Sequence, residues 1–113
     1  MPRNMSFALT TEQARDRTKT VTRRLGWRFL WPGDKVQQVV KAMGLKKGEK
    51  IEKIHLIEIV SVKIEPLILI TQEDVIREGF TAMTPPQFID MFCKFNRCEA
   101  TVEPTRIQFR YLD

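Results

Sequence analysis

Lys53-Ile-His-Leu-Ile-Glu-Ile-Val-Ser-Val-Lys-Ile64 reads as one long β-strand. Its Ile and Val side chains suit a pleated, half-buried surface, and nothing in it breaks an extended backbone. On a period of two, Ile57, Ile59 and Ser61 share one face, and Glu58, Val60 and Val62 share the other. A strand this long belongs to a curved sheet and bends within it. Pro66 ends it or turns it.

Downstream, Thr71-Gln-Glu-Asp74 opens a helix, with Thr71 as N-cap and acids in the first turn. Gly79 is its stop. Thr84-Pro-Pro-Gln87 opens another, with Pro85 at the first helical position. Phe88, Ile89, Met91, Phe92 and Phe95 recur there at helical spacing and read as core packing. Arg106 to Leu112 is an alternating final strand, with Ile107, Phe109 and Tyr111 on one face.

Upstream, Met5 to Leu9 alternates as a first strand would. Thr10 and Gln13 have capping-box spacing for a short surface helix over 11–17. Lys19 to Arg24 is β-branched and extended. Trp27 to Trp31 lies in an aromatic loop, Pro32-Gly33-Asp34 is a turn, and Lys35 to Lys41 is a strand. Gly44 to Lys50 is a basic, solvated hairpin connection. Regular crossover helices between neighbouring strands are missing, which argues against a doubly wound parallel sheet. The order predicts an α+β fold: a mostly antiparallel, barrel-like sheet flanked by short helices, in one domain over 1–113.

The chain has 113 residues, 42% hydrophobic and 29% charged, an ordinary globular composition. Its apolar runs are far shorter than the ~20 residues a membrane helix needs. No apolar leader follows Met1-Pro2-Arg3-Asn4, so a cytoplasmic location, a monomer and no membrane partner are expected. Cys93 and Cys98 read as free thiols, and His55, the one histidine, as a structural strand residue. No metal site is expected. Residues 1–28 hold seven basic and two acidic side chains, whereas 29–113 hold twelve of each. The whole net charge of +5 therefore sits in the first quarter and points to an anionic or nucleotide-like partner.

Arg17-Thr-Lys-Thr-Val-Thr-Arg-Arg24 resembles the K-T-x-T-x-R signature of ASCH domains. Pro32-Gly33-Asp34 followed by a strand, the Leu69 to Phe80 helix with its C-terminal glutamate, and the final strand are similar to that family's later landmarks. The resemblance spans nearly the whole chain. It implies a PUA-like β-barrel with a central cleft. Some members of the family are thought to bind RNA. One small bacterial branch hydrolyses N4-acetylcytidine and related N4-acylated cytosines to cytidine and a carboxylic acid. For this chain the resemblance implies a modified cytidine nucleoside as substrate, no cofactor, and a catalytic set of Lys19, Thr22 and Glu78, with Arg24 as a further basic residue. Trp27 and Trp31, in a loop the branch lacks, are candidates for stacking on a base.

Two assignments of roles are open. Lys19 could activate the Thr22 hydroxyl while Glu78 handles the leaving amine. Alternatively, Glu78 could activate water while Lys19 and Thr22 hold the oxyanion. Burial and the neighbouring Arg23 and Arg24 would lower the Lys19 pKa, and a Glu78 partner would raise it. A non-catalytic RNA-binding module, built on the basic N-terminal quarter, is the competing expectation, with a nuclease as a third.

Overall fold

The computed structural model describes residues 2–113; Met1, the first residue of the Met1-Pro2-Arg3-Asn4 start, lies outside them. Five strands form one sheet: β1 (Arg3–Ser6), β2 (Val21–Arg24), β3 (Lys35–Val39), β4 (Lys53–Ile64) and β5 (Thr105–Tyr111). Their spatial order is β1-β3-β4-β5-β2. β1 pairs parallel with β3; every other pairing is antiparallel. Three helices flank the sheet: α1 (Thr11–Arg15), α2 (Gln72–Arg77) and α3 (Pro85–Asn96). This is an α+β, PUA-like half-barrel.

Two apolar clusters hold these layers. Inside the curl of the sheet, Met5, Phe7, Val36, Ile57, Ile59 and Phe109 pack together. Under the helices, Leu67, Ile70, Val75, Phe88 and Phe92 form the second cluster. A fully buried side chain of this size contributes roughly 1.5–3 kcal/mol.

β4 covers the stretch the sequence predicts, but its faces change partway. Ile59 pairs with Phe109 and Ser61 with Gln108, so the register slips across Val60. Such a bulge bends a strand and reverses its alternation. Val60 is pushed outward and is exposed, while Val62 moves opposite Ile107 and packs on the first core. The face shared by Val60 and Val62 in the sequence reading is therefore split. The simple period of two cannot see an inserted residue.

The N-terminal quarter also departs from expectation. β1 ends at Ser6, and residues Ala8–Thr10 form a 3-10 turn instead of continuing the strand. The Thr10–Gln13 capping box does not form. Thr11 Oγ1 donates to the Phe7 carbonyl at 2.9 Å, and Gln13 Nε2 donates to the Gly79 carbonyl at 3.1 Å. The Gln13 amide is drawn away by the neighbouring α2 terminus, so α1 is clamped to α2. At Gly79, φ is +106° and an added Cβ would lie 2.9 Å from Gln13 Cγ, so glycine is required there. The Thr71 cap on α2 forms as predicted, and α3 starts at Pro85 as predicted, with a Thr84–Gln87 capping box in addition.

The bulge sets up a direct comparison. Val62→Asp should cost more than about 2 kcal/mol, because a carboxylate is placed against the core, whereas Val60→Asp should cost less than about 0.5 kcal/mol. Urea denaturation of both variants checks this; equal costs would mean an unbulged strand.

Candidate functional site

Lys19 lies just before β2, where three neighbours fix its backbone. Its N–H donates to the Gln13 carbonyl, the Tyr111 hydroxyl donates to its carbonyl at 2.7 Å, and Thr20 N–H donates to the Arg77 carbonyl. The segment is thus pinned between α1, the end of α2 and β5. The Lys19 side chain is 3% exposed. Its Nζ donates to Glu78 Oε1 at 2.9 Å and to the Glu78 carbonyl at 2.7 Å. An ammonium has three N–H groups, so one is left for a ligand or a neighbouring hydroxyl.

Glu78 is the C-cap of α2. Its second carboxylate oxygen accepts from Arg23 Nη1 at 3.2 Å. Arg23, whose side chain is fully buried, also donates through Nη2 to Asp74 Oδ2 at 2.6 Å and to Glu65 Oε1 at 3.0 Å. Arg106 stands opposite Arg23 in the β2–β5 ladder and makes two hydrogen bonds to Asp74, at 2.7 and 3.1 Å. Two adjacent guanidiniums would repel. Asp74, reaching up from α2, makes the pair tolerable.

These neighbours set the local ionisation. Burial pushes the Lys19 pKa below the usual 10.5, with Arg24 and Arg23 in the same direction and Glu78 opposing them. The Arg106 hydrogen bonds, reinforced by Arg23, hold Asp74 at about 2 against the opposing effect of burial. Burial lowers Arg24 to about 10. Arg24 donates to the Ser6 carbonyl at 2.6 Å, so it ties β2 to β1. Its guanidinium lies 4.9 Å from the centre of the Phe7 ring, and its Nε is buried with no partner.

A cavity of about 220 Å³ opens over this cluster. Lys19, Thr22, Arg23, Arg24 and Glu78 give it a polar side. Thr22 is 4% exposed, on β2. Phe88, Met91, Phe92 and Phe95 of α3 form the facing wall, so part of the stripe read as core packing borders this space. Trp27 reaches the cavity from a tight turn in which Gly26 and Trp27 both have positive φ. Trp31 does not line it and is 73% exposed. The structure thus brings together Lys19, Thr22, Glu78, Arg24 and Trp27 and leaves Trp31 outside.

Arg23, Asp74, Arg106 and the α3 wall were not singled out as site residues from sequence. One signal was available: Asp74 and Glu78 are four apart and share a face of α2. The basic N-terminal quarter does not form one surface patch either. Lys19, Arg23 and Arg24 turn inward, while Arg15 pairs with Glu12 and Glu52 at the surface. His55 is held by Asp113 and the Arg15 carbonyl, away from the cavity.

No protein-family model matches this sequence. No curated protein matches it either. Solved structures do. The ASCH domain from Lactobacillus crispatus JV V101 is 16% identical with a TM-score of 0.61, over 96% of this chain and 78% of that one. Protein EF3133 from Enterococcus faecalis V583, of family DUF984, is 13% identical with a TM-score of 0.71, over 100% and 81%. The hypothetical protein PH0355 is 13% identical with a TM-score of 0.70, over 99% and 100%. The chain therefore has the fold of an ASCH domain in the PUA-like class. Its first motif and its buried Lys–Glu pair sit where that half-barrel opens.

The ion cluster has a pH signature. The folded Asp74 pKa of about 2 lies below its ordinary 3.8. Its contribution to stability is therefore complete above about pH 4 and is lost as pH falls through about 2. Asp74→Asn should flatten the dependence of urea-unfolding stability on pH between about 4 and 2. Asp74→Ala, which leaves two guanidiniums without their carboxylate, should cost about 3–5 kcal/mol at pH 7.

Proposed function

We propose that this chain is a metal-independent amidohydrolase that cleaves N4-acylated cytosine nucleosides, such as N4-acetylcytidine, to cytidine and a carboxylic acid. One observation carries the reading: Lys19, Thr22 and Glu78 line the polar side of one open cavity, and Lys19 is buried there against Glu78. An amide needs a nucleophile, a base and oxyanion stabilisation. Thr22 supplies the hydroxyl, which becomes reactive only when a base takes its proton. Lys19, with its pKa lowered by burial, is that base in its uncharged form. The Thr22 oxygen attacks the amide carbon, and the charge that forms on the carbonyl oxygen is stabilised by the neighbouring guanidinium of Arg24. The proton taken by Lys19 passes through the Glu78 carboxylate, 2.9 Å away, to the exocyclic nitrogen as the carbon–nitrogen bond breaks. Cytidine leaves. Water, deprotonated in turn by Lys19, then cleaves the Thr22 ester, releasing the acid and restoring the hydroxyl.

Trp27 and Arg24 offer a stacking face and a hydrogen-bond donor for the pyrimidine. A purely RNA-binding role has less support here. Three of the seven cations that suggested it point into the fold, where phosphates cannot reach them to release counterions.

The test is conversion of N4-acetylcytidine to cytidine by chelator-treated protein, followed by ultraviolet absorbance. Lys19→Met, Thr22→Val and Glu78→Gln should each lower kcat/KM by roughly a hundred- to ten-thousand-fold while circular dichroism stays folded. Full activity in all three variants, or none in the folded wild type, would overturn the reading. The pH profile fixes the roles. If Lys19 is the base, kcat/KM rises with pH and levels off above the lowered Lys19 pKa, before 10.5. A rate that falls across that range would instead assign Lys19 to oxyanion binding and Glu78 to the activation of water.

A further inference from the structure

The cavity is chemically divided, and the division bears on which acyl groups it takes. All of its charged groups lie on β2, on the end of α2 and at Lys19. The α3 wall presents Phe88, Met91, Phe92 and Phe95, and its one polar side chain, Asn96, donates through Nδ2 to the Phe92 carbonyl at 2.9 Å. A pyrimidine, rich in heteroatoms, finds no hydrogen-bonding group on Phe88, Met91, Phe92 or Phe95. It gains a donor from the unpartnered Arg24 Nε on the other side. With the scissile amide held at Lys19, Thr22 and Glu78, the acyl group points along α3.

The space does not end there. At about 220 Å³, the cavity is smaller than the 300–1,000 Å³ typical of drug-sized ligand sites. A second, shallow groove continues from it and shares Leu9, Met91 and Phe95 before reaching Met83, with Gln87 and the paired Asp90 and Lys94 along its outer rim. Leu9 is 52% exposed and Phe95 is 61% exposed. Leu9 and Phe95 thus place exposed apolar surface at the cavity mouth, on both the cavity and the groove.

Resting on the amidohydrolase reading, we infer that the Leu9–Met91–Phe95 trough is an acyl-chain subsite, and that the enzyme takes straight, apolar acyl groups longer than acetyl. The occupant is the substrate's own acyl chain, because the trough is continuous with the place where the amide must sit. Each added methylene leaves water against Leu9, Met91 or Phe95. Binding should therefore tighten by about two- to fourfold per methylene, the upper figure being full burial at about 0.8 kcal/mol.

Two series on the intact protein test this. Binding of the product acids acetate, butanoate, hexanoate and octanoate, measured by calorimetry, should tighten at every step. Hydrolysis of the matching N4-acylcytosines should show kcat/KM rising in parallel. Phe95→Asp, at an exposed position the fold should tolerate, should flatten both slopes, and Leu9→Asp across the trough should do the same. Thermal melting confirms that each variant is folded. Flat affinity from acetate to octanoate, or slopes unchanged in both variants, overturns the subsite whatever the hydrolysis assay gives. Chain-length-dependent acid binding without hydrolysis would support the subsite and sink the amidohydrolase reading instead.

Discussion

Everything in this structure turns on burying charge. Lys19, Arg23 and Arg106 pair with Asp74, Glu78 and the half-buried Glu65, and the buried Arg24 lies beside them. Taking any one of them out of water alone would cost several kcal/mol. The cost is offset only when each finds its partners, so β2, β5 and α2 can pack in one mutual arrangement. Arg23 enforces this most strongly, because its guanidinium bonds three carboxylates from two other parts of the chain. Gly79 and Gln13 serve the same end: their close approach sets the end of α2 against the Lys19 segment.

Chemistry follows from that constraint. A lysine in water stays charged at neutral pH and is a poor base. Lys19 is kept out of water, and burial outweighs the pull of Glu78 on its proton. The half-barrel leaves its opening beside Lys19, between β1 and β2, where Arg24 ties the two strands through the Ser6 carbonyl. The apolar face of α3 closes the other side. A ligand entering there would meet charge on one flank and hydrocarbon on the other, and the proposed binding of an acylated heterocycle rests on that division.

Much of the fold was legible because it is written in local signals. The Lys53–Ile64 strand, the Thr71 and Thr84 caps and the Gly79 stop each depend on residues close in sequence. The Val60 bulge was not legible, because an extra residue in β4 shows only against the register of β5. Nor was the fate of the Thr10 cap: the Gln13 side chain turns to the Gly79 carbonyl, 66 residues away, and the Thr10 N–H donates to the Phe7 carbonyl. The same holds for the site. The resemblance to ASCH domains pointed to Lys19, Thr22 and Glu78, but the ion cluster joining Arg23 to Asp74 and Arg106 is a tertiary object. Trp31 was chosen for its chemistry alone, and the loop turns it to solvent after burying Leu30.

The central claim is that burial, not the Glu78 partner, controls the protonation of Lys19. The most direct measurement is an NMR titration of the Lys19 side chain in protein carrying labelled lysine, assigned with Lys19→Met. With burial dominant, the Lys19 pKa is expected below the ordinary 10.5. A value at or above 10.5 would mean that the ion pair with Glu78 dominates, and Lys19 could then serve as a charge but not as a base.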